Sequence, residues 1–215
     1  MGEFNEKMLS AKEKLLARFK RERPPLATAD REDRLPPGQH LTHGFPILDL
    51  GIRPPIDFGT WTFEVTGDVE RPMAWNWDAF KQLPKVDQVS DFHCVTTWSK
   101  FDVHWGGVKF QTIAELVMPR PTARYVILGC GEGYTTNLSI DEAMDDDVLL
   151  AYELDGRPIP LEHGGPMRLI VPKLYAWKSA KFLRQIRFVQ YDEPGFWEIR
   201  GYHNHGDPWL EERYG

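Results

Sequence analysis

Between Asp91 and Gly107 the chain reads Asp-Phe-His-Cys-Val-Thr-Thr-Trp-Ser-Lys-Phe-Asp-Val-His-Trp-Gly-Gly, placing a thiol, two imidazoles, two indoles, a lysine and several hydroxyls in one short stretch. Thr96, Thr97, Ser99 and Lys100 surround Cys94 with hydrogen-bond donors and one positive charge. Such surroundings favour the thiolate, which is the form that attacks carbon or binds a soft metal. A catalytic thiol and a thiolate ligand both fit. For a thiol hydrolase or redox enzyme, His93 or His104 would serve as the base, although no known triad order is visible.

The elements that must position this stretch can be read from its flanks. Residues 86–93 have strand composition, with Val86, Val89 and Phe92 among polar residues, so Cys94 falls where a strand runs out. Upstream, residues 60–66 alternate Trp61, Phe63 and Val65 with polar residues, predicting a half-buried strand that turns at Gly67-Asp68. Residues 76–83 predict a short helix stopped by Pro84. A second helix is expected from a Thr112 cap through Met118, ahead of Pro119. Tyr125 to Leu128 is a short apolar run and reads as a buried strand. Ser139 opens a helical turn to Met144, and 148–154, 168–171 and 182–189 read as further strands. The last of these alternates in both registers, as a strand packed on two faces would. Strands and helices interleave, so the fold class is mixed α/β (α+β), in a single domain with irregular segments.

Composition bounds the function. A chain of 215 residues with 41% hydrophobic content, eight Trp and twelve Phe suits one sizeable globular domain. A net charge of −6 argues against a nucleic-acid partner. No run approaches the roughly eighteen apolar residues of a transmembrane segment. The two cysteines, Cys94 and Cys130, cannot supply the four thiolates of an iron-sulfur cluster, and there is no Cys-x-x-Cys-His haem attachment. Neither an apolar export core nor a twin-arginine pair precedes the domain, so a cytoplasmic location is expected.

Residues 1–25 form a separate arm. Over 1–23 it carries seven basic and four acidic side chains, with Met8, Leu9, Leu15, Leu16 and Phe19 at near-helical spacing, before Pro24-Pro25 end it. Residues 26–215 are the domain. From 27 to 55 it begins as an irregular segment lying over its own surface, where His40 and His43 lack the partners for a zinc site. Further on, Gly129-Cys130-Gly131-Glu132-Gly133 lacks the G-x-G-x-x-G spacing of a dinucleotide loop and reads as close backbone approach to a bound group. His203 and His205, in the aromatic, turn-rich C-terminal extension, read as ordinary hydrogen-bonded histidines.

Residues 93–105, His-Cys-Val-Thr-Thr-Trp-Ser-Lys-Phe-Asp-Val-His-Trp, resemble the molybdenum-ligand segment of the sulfite oxidase-like oxidoreductases. That molybdopterin-binding family also includes the periplasmic methionine sulfoxide reductase subunit. A second segment, His163-Gly164-Gly165-Pro166-Met167-Arg168-Leu169-Ile170-Val171-Pro172, followed by Tyr175-Ala176-Trp177-Lys178-Ser179-Ala180-Lys181, is similar to the family's pterin-phosphate region. The resemblance spans residues 40–210 and implies a single sulfite oxidase-type domain.

It further implies that Cys94 is the metal ligand, with catalytic roles for Cys94, Tyr134 and Lys100. His43, Gly44 and Phe45 would form the N-terminal pterin contact, although Thr42-His43-Gly44-Phe45-Pro46 departs from the family's Asn-rich or Arg-Asn-His segment. Cys130 and Gly131 would line the pterin pocket, while His93 and Thr96 would support the metal. His163, Arg168, Ser179, Lys181 and the backbone N–H groups around Ala180 would hold the phosphate. The implied cofactor is molybdenum on a mononuclear molybdopterin without a nucleotide, and no haem or iron-sulfur cluster. The implied activity is two-electron oxygen-atom transfer to or from a small sulfur or nitrogen oxo compound such as sulfite, a sulfoxide or an N-oxide. An external electron carrier, a cytochrome or a flavoprotein, would then be needed. A non-catalytic pterin-carrying module and the thiol enzyme above are the other functional classes open to these residues.

Overall fold

The structure, a computed structural model, describes residues 34–48, 51 and 53–215. The expected basic arm at 1–25 and the first part of the irregular segment lie outside the described residues. Two mixed sheets carry the fold. The first is ordered β1 (His40–Leu41), β5 (Trp98–Lys109), β8 (Leu149–Leu154) and β10 (Arg168–Ile170), with β4 (Val86–His93) also paired to β5 and β9 (Arg157–Pro158) to β8. The second runs β3 (Met73–Asn76), β2 (Thr62–Gly67), β11 (Leu183–Val189), β6 (Tyr125–Cys130) and β7 (Thr135–Ser139).

Strand alternation explains how the sheets stack. On β8, Leu150 and Tyr152 point into a large core that also takes Phe63 and Val65 of β2, Val126 and Leu128 of β6, and Ile186 and Phe188 of β11. Leu149 and Ala151 point the other way, into a smaller cluster with Phe92, Cys94, Trp98 and Trp105. The large core therefore fills the space between the sheets, and the first sheet is buried on both faces. Arg168 alternates with Leu169 on β10, so it faces the smaller cluster together with Ile170.

Among the described residues, three short α-helices fill the corners. In α1 (Trp77–Lys81) the Asn76 side chain accepts the Ala79 N–H at 2.8 Å, close to the expected start. The second helix differs from expectation. It spans Phe110–Val117 (α2), its cap residue is Lys109 with no side-chain cap bond, and Thr112 lies inside it. Burial of Phe110, Ile113, Ala114 and Val117 on one face sets the boundary, so packing overrides the capping signal. Ser139 does cap α3 (Ile140–Ala143), in a reciprocal box with Glu142. Strands β5 and β7 form where the sequence pattern predicts no element.

The C-terminal extension is tied to the second sheet through a buried ion pair. Lys178 Nζ lies 2.8 Å from Glu198 Oε1, and both side chains are essentially inaccessible. Lys178 also donates to Asn137 O at 2.9 Å and Oδ1 at 2.8 Å, while Glu198 Oε1 accepts from Thr136 Oγ1 at 2.8 Å and Trp177 Nε1 at 3.0 Å. Burial lowers the Lys178 pKa, with Glu198 opposing it. Removing one member strands the other charge. Glu198→Ala is expected to cost about 3–5 kcal/mol in urea unfolding, whereas replacing both with apolar residues of similar volume costs much less.

Close strand approach supplies a second check. A Cβ on Gly107 would meet Leu150 O at 2.2 Å and Ala151 Cα at 2.7 Å across the β5–β8 ladder. Gly107→Ala must part these strands, and a clearly lower urea midpoint than wild type is expected.

Candidate active site

The site grows from the hairpin between β4 and β5. Cys94 N–H donates to Trp98 O at 2.9 Å and Thr97 N–H to Cys94 O at 3.0 Å, with Thr97 in the left-handed region at φ 76°. This turn lifts Cys94 off the strand end, as the sequence predicted, into a cavity of about 290 Å³. The sulfur is buried at 5% exposure and accepts a hydrogen bond from Thr96 Oγ1 at 3.1 Å. A hydroxyl donated to sulfur stabilises its anionic form. Val95 O is pinned by Arg213 Nη1 at 2.7 Å and Cys94 O by Gln39 Nε2 at 3.1 Å, so both flanks of the thiol are held.

Arg168 lies in the same cavity at 2% exposure. Its guanidinium stands 5.1 Å from the Phe92 ring centre and 5.6 Å from that of Trp105. Nη1 donates to His163 O and Nη2 to Ser179 O, each at 2.8 Å, so the fork expected to grip a phosphate is already engaged with carbonyls. Its Nε is buried with no partner among the described residues. Burial lowers its pKa to about 9, with the Cys130 and Cys94 sulfurs pulling it back up. A buried cation bonded to carbonyls rather than to a carboxylate is a site for an anion.

The remaining predicted residues divide. His163 lines the cavity and stacks on Phe45, with ring centres 4.7 Å apart; burial lowers its pKa, helped by Lys181 and Arg168. Lys181 lines it too, and its Nζ donates to Leu48 O at 2.8 Å and Glu162 O at 2.6 Å, tying the segment after Phe45 to the turn at His163. Ser179 Oγ accepts from Val171 N at 2.9 Å. The Ala180 N–H is taken by Lys178 O at 3.0 Å, so the backbone donor expected there is spent and Ala180 contributes lining alone. Tyr134 lines the cavity, but its buried hydroxyl donates to Trp177 O at 2.6 Å, and burial holds its pKa well above the usual tyrosine range.

Several candidates do not line the cavity. Lys100 Nζ donates to His43 O at 3.2 Å, and His43 and Gly44 are exposed, so this segment contributes Phe45 to Leu48 instead. His93 is bonded through Nδ1 to Ser99 Oγ at 2.8 Å, and burial brings its pKa down to about 4. Thr96 reaches the site through the sulfur. Cys130 is held in a turn by its N–H to Tyr134 O at 3.0 Å, and burial raises its thiol pKa. Gly131 donates to Phe182 O at 3.0 Å and faces outward. Conversely, Glu132, Trp177 and Trp197 line the cavity, a place that neither motif assigns them. The glycine-rich composition around Glu132 signalled a turn near a ligand, but not which side chain it presents.

These residues suit a molybdopterin. Its dithiolene sulfurs and phosphate are anionic and match the uncompensated Arg168 cation, and its metal accepts a soft thiolate such as Cys94. The stacked Phe45 and His163 rings and the Phe92 and Trp98 rings offer flat walls to a heterocycle.

The chain matches the model of the oxidoreductase molybdopterin binding domain over residues 50–197. It is 44% identical over 187 residues to the uncharacterized oxidoreductase YuiH of Bacillus subtilis, spanning 86% of this chain and 94% of that one. To the protein-methionine-sulfoxide reductase catalytic subunit MsrP of Ralstonia nicotianae it is 32% identical over 162 residues, 68% of this chain and 49% of the relative, so it spans about half of that protein. Among solved structures it resembles the sulfane dehydrogenase SoxCD of Paracoccus pantotrophus with a TM-score of 0.60 over 68% of this chain and 42% of that one; at 16% identity this likeness shows the fold. With the domain match, the relatives and the geometry in agreement, the chain belongs to the molybdopterin-binding oxidoreductase family and is an oxidoreductase.

Proposed function

We propose that this protein is a molybdenum-molybdopterin enzyme that transfers an oxygen atom to or from a small sulfur or nitrogen oxo compound and exchanges electrons with a separate carrier. The observation that carries the reading is the pairing, in one cavity, of a buried thiol that accepts a hydroxyl hydrogen bond with a buried guanidinium that has no carboxylate partner among the described residues. The relative named as a methionine-sulfoxide reductase favours the sulfoxide type of substrate.

When bound, the cofactor supplies the two-electron oxygen-atom chemistry. The chain's own residues then do the following. Cys94 would hold the metal through sulfur, and Thr96 holds that sulfur as an acceptor. Arg168 would offset the cofactor's anionic charge, Lys181 braces the wall from Leu48 to Glu162, and the stacked Phe45 and His163 rings would offer a flat surface to a heterocycle. Trp177 and Trp197 narrow the rest of the cavity and exclude water. Tyr134 fixes the Trp177 backbone, a positioning role that fits its committed hydroxyl better than proton transfer does. A thiol hydrolase is disfavoured, because His93 is bonded to Ser99 and His104 is exposed, and neither lines the cavity.

Protein made in a host that synthesises the cofactor should carry molybdenum and a nucleotide-free pterin in equal amounts and reduce an artificial sulfoxide with a reduced dye as donor. Equimolar zinc without pterin fluorescence after oxidation would defeat the reading. Cys94→Ser should keep much of its pterin, lose turnover and change the paramagnetic spectrum of the partly reduced metal, while Cys130→Ser leaves both as in wild type.

Arg168→Ala removes a buried charge that would offset the cofactor, and retained pterin should fall by about tenfold or more on gel filtration. Arg168→Lys should recover only part of it, since one ammonium cannot bridge His163 O and Ser179 O as the fork does. Full occupancy in the Ala variant would make Arg168 purely structural.

A further inference from the structure

The turn that follows β6 presents Glu132 and Tyr134 to the cavity, and the first of these is a carboxyl group. Gly131 N–H donates to Phe182 O, Gly133 N–H to Cys130 O and Cys130 N–H to Tyr134 O, each at 3.0 Å, so the backbone on both sides of Glu132 is pinned. Gly133 takes φ +82°, which lets the chain double back at once. Glu132 is thereby aimed inward and lines the cavity shared by Cys94, Arg168 and Lys181. Its Oε2 is buried and has no hydrogen-bond partner among the described residues. A buried carboxyl oxygen left unmatched is costly, and native folds keep such groups chiefly where a ligand completes them.

The groups around it do not remove that cost. Lys181 is the cation that acts on Glu132, and it sends its ammonium hydrogens to Leu48 O and Glu162 O. Burial dominates and lifts the Glu132 carboxyl to about 7, against its own backbone N–H and the Lys181 charge. A group perturbed by burial inside a cavity is a candidate for function.

We propose that Glu132 reads the bound heterocycle: its buried, unpartnered Oε2 accepts a hydrogen bond from the amino or ring N–H edge of a pterin. This rests on the molybdopterin reading given above. A carboxylate complements the adjacent N–H donors of an aminopyrimidinone, a neutral edge that Arg168 and Lys181, as donors, cannot satisfy.

A residue that a ligand completes should trade stability for binding, and a merely structural residue should not. Glu132→Ala, made without cofactor, is expected to melt about 2–4 °C higher than wild type, because the unmatched carboxyl is gone. The same variant loaded with cofactor should release pterin about ten- to a hundredfold faster, read by fluorescence after oxidation. Glu132→Gln keeps an oxygen that can accept and should fall between the two. A lower melting temperature for the empty Ala variant, with wild-type pterin release, would overturn the assignment. So would unchanged release with a raised KM for the sulfoxide, since Glu132 would then be reading substrate. If wild-type protein itself carries no pterin, the cofactor reading fails first and this assignment falls with it. Loaded wild type and an equally retentive Ala variant would sink this assignment alone.

Discussion

The site depends on keeping one positive charge inside the protein. Arg168 is buried on β10, the end strand of the first sheet, and moving a cation out of water costs several kcal/mol even after the surroundings relax. The fold meets that cost with two carbonyls, from His163 and Ser179, and with the faces of Phe92 and Trp105. None of these is an anion, so the charge remains available to a ligand. The two segments that supply the carbonyls are the ones that also supply the stacking ring of His163 and the ammonium of Lys181. Holding the guanidinium and shaping the cavity are therefore one task.

That task requires a sheet buried on both faces. The first sheet gives one face to the large core and the other to a small aromatic cluster, and the cavity opens beside the cluster. Cys94 and Arg168 reach it from different strands, one from the end of β4 and the other from within β10. Packing at organic-crystal density leaves little freedom to move either. Gly107 shows how tight the ladder is, since even a methyl group has no room against Leu150. Trp177 is fixed by the same Glu198 and Lys178 network that docks the C-terminal extension, and Trp197 of that extension also lines the cavity, so a segment that looks peripheral in sequence helps to close it.

Much of this is legible from local pattern. Alternation in residues 60–66 and the apolar run at 125–128 locate strands because side-chain direction repeats every two residues. The Ser139 cap is legible because its partner, Glu142, is three residues away. Thr112 shows where this stops: its hydroxyl suits a cap, but the burial of Phe110 starts the helix earlier. The strands β5 and β7 escaped notice because their polar and glycine residues, such as Asp102, Gly106 and Asn137, carry weak local preference and are held by neighbouring strands.

For the site, the sequence by itself determined the chemistry on offer: a thiol beside hydroxyls in one motif, and an arginine, a histidine and a lysine in another, enough to indicate the family and the reactive sulfur. Tertiary structure decided which of those groups face the same space. Lys100 and His43 were turned outward to each other, the Ala180 N–H was consumed by Lys178 O, and Glu132 was turned inward by a glycine whose positive φ leaves no periodic trace. The physical reason is that residue type sets what a side chain can do within its own turn or strand, whereas direction and desolvation come from contacts with segments far away in the chain. Arg168 makes the distinction plainly: its charge is written in the sequence, but its burial on carbonyls, with no carboxylate partner among the described residues, exists only once β10 is packed.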